Sequence, residues 1–287
     1  MENQTNYNHP IESKENFDLW PTISMQVLAN IEKRFQDNRE MTEYFAQESE
    51  TDDGHPMNID QYKKEFATRS IEREKQFINR VWNFYQRYSL EDRKNLVVLF
   101  DIDDTIGKVR FCKNNTYKFD IRPSFIPLIE TIISHSSQIG ILSSRSRDKM
   151  LDQFGHNLQI SNQNIRGGNL SGLKDYIDYS EIHSSSEIYS SDFQKSPQEM
   201  MRKQLVQKYC TGSVEKFFAL SQIQQNSSKK YVLIDDIVGL DEFLDDCKNN
   251  QLQLEDPRHR ETIVTDPVID NMLHVYHEMP VSFSSIY

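Results

Sequence analysis

Three aspartates, Asp101, Asp103 and Asp104, follow directly on the apolar run LVVLF, Leu96 to Phe100. A second apolar run, YVLI, ends in Asp235 and Asp236. Burying carboxylates costs several kcal/mol each unless something pairs with them. If the two runs are neighbouring parallel strands, Asp101, Asp103, Asp235 and Asp236 meet at one carboxyl edge. Carboxylates so crowded raise one another's pKa unless a cation sits among them. A set of oxygen ligands alone, with positions left open for water and phosphate, suits Mg²⁺. A carboxylate can attack phosphorus directly as a covalent catalyst. It then needs cationic groups against the phosphate charge and a second acid to protonate the leaving oxygen.

Positioning such acids requires a rigid sheet. From Leu96 onward the chain alternates strand-like and helix-like patterns. NLVVLFD and SQIGILSS are expected as buried strands, EIYSSD from Glu187 as a weaker third, KKYVLIDD as a fourth and ETIVTD from Glu261 as a fifth. SFIPLIETIISH, SPQEMMRKQLVQKYC and LDEFLDDCKNN carry helical spacing between them. This alternation predicts an α/β fold: a Rossmann-like parallel sheet with helices on both faces, over residues 91–287. Ligands of such sheets bind beyond the carboxyl ends of the strands.

Residues 1–90 form a predicted helical N-terminal extension. Ile23, Val27, Ile31 and Phe35 make one apolar stripe, and ETDDGHPM marks a turn at Gly54 and Pro56. A second helix from about Asp60 is apolar on two faces near its end. Ile71, Ile78, Trp82 and Tyr85 line one face, and Phe77, Val81, Phe84 and Tyr88 the other. A helix of this kind is buried against something, here the domain that follows.

Composition narrows the class. The 33 basic and 44 acidic residues leave a net charge of −11, against a broad footprint on nucleic-acid backbone, although a local basic groove is still permitted. The three cysteines are odd in number and lack CxxC spacing, as expected of a reducing compartment without a zinc site. The polar N-terminus and the lack of a long apolar run predict a cytoplasmic protein without a membrane span, and the helical front end with the polar C-terminal HEMPVSFSSIY also permits a secreted effector.

Three motifs, in order, resemble those of the haloacid dehalogenase-like (HAD) hydrolase superfamily. DIDDT (Asp101 to Thr105) looks like its DxDx[T/V] motif, IGILSSRS like its strand ending in Ser or Thr, and YVLIDDIVGLD like its strand ending in paired acids. The resemblance covers roughly residues 96–241. It implies a Mg²⁺-dependent phosphatase in which Asp101 is the nucleophile and Asp103 the general acid and then base. Ser143 would bond the phosphoryl group. Asp235 and Asp236 would hold Mg²⁺ with the Asp101 carboxylate and the Asp103 main-chain carbonyl, and Asp241 would act through water. Ser144 and Arg145 lie close enough to Ser143 in sequence to reach phosphate or substrate, although a solvated surface arginine explains Arg145 equally well. Asp104 joins the substrate-binding candidates, with shaping of the next turn its simpler role.

The family also uses a lysine that has no strong sequence signature. Lys195, opening KSPQEMMRKQL, is the first choice, with Lys174, Lys203 and Lys216 as competitors. NIRGGNLSG lacks the P-loop lysine pattern and is better read as a turn. VRFCKNNTYKF (Val109 to Phe119) is expected to form a small hairpin flap, and the span from Thr105 to Leu142 has no room for a separate cap domain. Relatives with little cap tend to have open sites and macromolecular substrates, so the resemblance points to a phosphoprotein or another exposed phosphate. The competing readings are a HAD-fold binding or scaffold protein with weak catalysis, a nucleic-acid 3′-end phosphatase, and a phosphotransferase passing the phosphoryl group to another acceptor.

Overall fold

The computed structural model describes residues 20–37, 39–51, 54–112, 116–155, 170–190 and 197–280. Its centre is a parallel sheet of five strands in the order β5-β4-β1-β6-β7. In chain order these are β1 (Leu96–Phe100), β4 (Gln138–Ser143), β5 (Ile182–Ser184), β6 (Lys230–Asp235) and β7 (Met272–His274). The remaining pair, β2 (Gly107–Cys112) and β3 (Thr116–Ile121), forms a separate antiparallel hairpin. That is the predicted flap. Gly107 is required at its base, because a Cβ there would lie 2.3 Å from the Asp120 carbonyl oxygen.

Helices cover both faces, as the α/β pattern requires. They run in chain order as α1 (Trp20–Asp37), α2 (Arg39–Glu48), α3 (Ile59–Gln86), the single turn α4 (Leu90–Arg93), α5 (Phe125–Ser134) and α6 (Arg147–Gln153). Then come α7 (Ser185–Ser190), α8 (Pro197–Leu205), α9 (Thr211–Gln225), α10 (Leu240–Lys248) and α11 (Pro257–Val264). No helix among the described residues is long and apolar enough to cross a membrane.

The central strand explains the two layers. All five β1 residues are buried, and alternate side chains enter opposite cores. Leu96, Val98 and Phe100 join the end of α3, α5 and α6 on one face, and Phe100 meets Phe125 edge to face at 5.0 Å. Val97 and Leu99 join α9 and α10 on the other. Burial on both faces is why β1 reads as a continuous apolar run.

Two strands differ from expectation. The ETIV of ETIVTD forms the last turn of α11, despite its β-branched residues. The Asp256 side chain caps that helix by accepting from the Arg258 amide, and Pro257 stands at its first turn, so the start signals outweigh strand propensity. The fifth strand is β7 instead. EIYSSD also enters a helix, α7, and the third strand is the preceding triplet β5, whose Ser184 pairs with Ser143.

Helix α3 starts with a capping box between Asn58 and Gln61. It then spans two cores. Tyr62 and Phe66 pack with Val27, Ile31 and Phe35 of α1 in a small cluster. Phe77, Val81, Trp82, Phe84, Tyr85 and Tyr88 enter the main core beneath the sheet. Residues before 90 therefore supply part of the core on which the sheet rests.

Candidate metal and phosphoryl-transfer site

Strands β1 and β6 are parallel neighbours, with Phe100 opposite Ile234. The ladder continues past β1, the Asp101 amide donating to the Ile234 carbonyl at 3.0 Å. Both strands therefore deliver their terminal acids to one edge. Asp101, Asp235 and Asp236 each offer a carboxylate oxygen, and these atoms lie within 4.8 Å of one another. Asp101 and Asp235 are buried, and Asp236 is half-buried.

Each acid is held differently. Asp235 accepts from the Ile237 amide at 3.0 Å through Oδ1. Its Oδ2 is buried and makes no well-aligned hydrogen bond among the described residues, although Lys216 Nζ lies 2.5 Å away. Asp236 accepts from the Thr105 hydroxyl at 2.6 Å. Burial pushes the Asp235 carboxyl up to about 6; Lys216 pulls it down, and Asp101 pushes it further up. Burial likewise raises Asp236 to about 7, against the Thr105 bond and with Asp101 and Asp235 adding repulsion.

The lysine at this cluster is Lys216. Its ammonium lies 2.9 Å from Asp101 and 2.5 Å from Asp235, and the side chain is almost wholly buried. Desolvation opposes its charge, but the two carboxylates outweigh it and raise its pKa. Lys195, the first choice from sequence, lies outside the described residues. Sequence alone does not single out Lys216, because α9 shows no apolar stripe. Ser213, Val214, Lys216, Phe217, Phe218, Ala219, Leu220, Ser221 and Ile223 are all buried, so the helix is enclosed on every side.

Asp103 points elsewhere. Its carboxylate, about half exposed, is gripped by both arms of Arg145, with Nε 3.1 Å from Oδ2 and Nη2 bonded to Oδ1. Gln153 of α6 accepts from Arg145 Nη1 at 2.8 Å and braces the guanidinium. Arg145 is thus held by Asp103 and Gln153 and is not a solvated surface arginine. Ser143 ends β4 as a buried side chain on the strand next to Asp101, while Ser144 is exposed beyond it.

Asp104 shapes the turn. It adopts φ of 59°, a left-handed conformation that Asp tolerates, and its amide donates to the Gly107 carbonyl at 2.7 Å. Its carboxylate pairs with Lys108 at 3.1 Å, leaving the three-acid cluster to Asp101, Asp235 and Asp236. Asp241 opens α10 and lies 3.7 Å from His274 Nδ1, at the end of β7.

The donor set fits a hard divalent cation. It consists of carboxylate oxygens alone, within 4.8 Å of one another, which is the donor chemistry that Mg²⁺ takes. Comparisons with protein-family models, curated proteins and solved structures found no match to this chain.

Proposed function

We propose that this chain is a Mg²⁺-dependent phosphomonoesterase of the HAD type, working through an aspartyl-phosphate on Asp101. The observation that carries the reading is the convergence of Asp101, Asp235 and Asp236 within 4.8 Å, with Lys216 inserted between two of them. Structural ion pairs seldom set two buried acids and a third beside them on one base, because the excess charge is left uncompensated. A site built to receive both a cation and a phosphate has a reason to do so.

Each residue then has a task. Asp101 attacks phosphorus, and the bond to the leaving oxygen breaks. Asp103 supplies that oxygen with a proton and then takes one from the water that cleaves the acyl-phosphate. Lys216 holds the Asp101 carboxylate in line and offsets charge on the phosphoryl oxygens. Ser143 donates a hydrogen bond to the transferring group. Arg145, which grips Asp103, exchanges that partner for a phosphate oxygen when substrate binds. Mg²⁺ bound by Asp101, Asp235 and Asp236 would supply Lewis-acid stabilisation of the phosphoryl charge.

The substrate reading is a macromolecule bearing an exposed phosphate, with a phosphoprotein preferred. Between β1 and β4 the chain inserts only the β2–β3 hairpin and α5, so the insertion includes no cap domain. A bound macromolecule would itself exclude water there. The decisive experiment compares wild-type protein and Asp101→Asn on an aryl phosphate and on phosphopeptides, with Mg²⁺ and after chelation. Turnover that survives in Asp101→Asn would refute the reading.

A further inference from the structure

Helix α3 reaches the site through a chain of buried polar contacts. Glu74 on α3 and Arg122 just past the hairpin form an ion pair with side-chain exposures of 4% and 0%. Arg122 Nε lies 3.2 Å from Glu74 Oε1 and 3.4 Å from Oε2. Glu74 Oε2 also accepts from the Ser124 amide at 3.2 Å and from the Ser124 hydroxyl. Each of the other two guanidinium nitrogens meets a main-chain carbonyl. Nη1 donates to the Thr105 carbonyl at 3.2 Å and Nη2 to the Glu278 carbonyl at 2.6 Å. The Phe77 ring of α3 lies 3.5 Å beneath it. Thr105 in turn donates its hydroxyl to Asp236 at 2.6 Å.

We propose that Glu74 and Arg122 are positioning residues for the metal site: through Thr105 they fix where Asp236 presents its carboxylate. The inference rests on the metal-site reading above. Burying a full ion pair is a poor route to stability, since apolar side chains of the same volume serve as well or better. Its geometry here is specific. Both arms of Arg122 end on carbonyls, one in the loop after β1 and one in the C-terminal segment, and the first belongs to the residue that holds Asp236. Hydrogen-bond partners of ligating carboxylates orient the ligands and set metal affinity. A helix that precedes the whole sheet in sequence thereby takes part in the site.

The test is Mg²⁺ binding by the full-length chain, measured by calorimetry at a temperature where circular dichroism shows each variant folded. Thr105→Val and the paired substitution Glu74→Met/Arg122→Met should each weaken binding about tenfold, and the three together should be no weaker than the larger of the two, because they interrupt one path. If the paired variant fails to fold, Glu74→Gln, which keeps the shape and an acceptor oxygen, should still lower affinity about threefold, a smaller share of the same loss. Unchanged affinity in a folded variant, or losses that simply add, would overturn the inference and leave the phosphatase reading intact. Mg²⁺ binding that shows this pattern in a protein releasing no phosphate would uphold the inference and sink the phosphatase reading. A wild-type chain that binds no Mg²⁺ would overturn both.

Discussion

Lys216 Nζ lies 2.9 Å from Asp101 Oδ1, joining the middle of α9 to the residue that ends the central strand. The same ammonium lies 2.5 Å from Asp235, so one buried base faces two carboxylates. Replacing Lys216 with Met should therefore lower turnover of an aryl phosphate by about 10²–10³-fold, the loss typical of one preorganised electrostatic contact. Lys195→Ala should retain wild-type turnover in the same assay. The opposite ranking would return the role to Lys195.

Arg145 and Asp103 make a forked pair whose geometry also suits phosphate. Arg145→Ala should reduce kcat/KM by about 10–100-fold, the range for losing a charged hydrogen bond. Most of the loss should appear in KM. Steady-state kinetics over substrate concentration separate this from a pure kcat effect, which would argue that the guanidinium serves only Asp103.

The long helix α3 can be tested without reference to activity. Phe77 is fully buried in the main core and lies under Arg122, so Phe77→Ala should cost about 3–5 kcal/mol in urea unfolding. A loss below about 1 kcal/mol would mean that α3 packs only peripherally on the sheet domain.

Away from the site, Glu181 sets an acid limit on stability. Burial alone would raise its carboxyl, but His183 and Lys229, the latter 2.6 Å away, overcome this and hold it at about 2. A depressed carboxyl stabilises the fold above its ordinary pKa near 4.5, and that contribution disappears as pH falls towards 2. Glu181→Gln should lower the melting temperature at pH 7 and narrow its difference from wild type by pH 2–3. A constant difference across that range would contradict the ion-pair account.

Much of the site was legible because it is made of strand ends. LVVLF and YVLI are buried on both faces, which forces an apolar run, and the aspartates that stop each run stand out against it. The paired register of β1 and β6 then follows the rule that parallel sheets gather ligands at their carboxyl edge. The hairpin was equally plain from its alternation around a polar turn. The strands EIYSSD and ETIVTD were misread because short β-branched segments carry no period long enough to overrule the serine and Asp-Pro caps beside them.

Sequence by itself thus determined the α/β class and the aspartates gathered at one strand edge, since these depend on local burial and order along the chain. Tertiary structure decided which lysine meets Asp101, what Arg145 grips, and how Glu74 pairs with Arg122, 48 residues away in sequence. Those contacts join segments whose local patterns are independent of each other. An enclosed helix such as α9 shows no polar face by which its lysine could be aimed, and a buried ion pair has no signature until both partners are folded into one core.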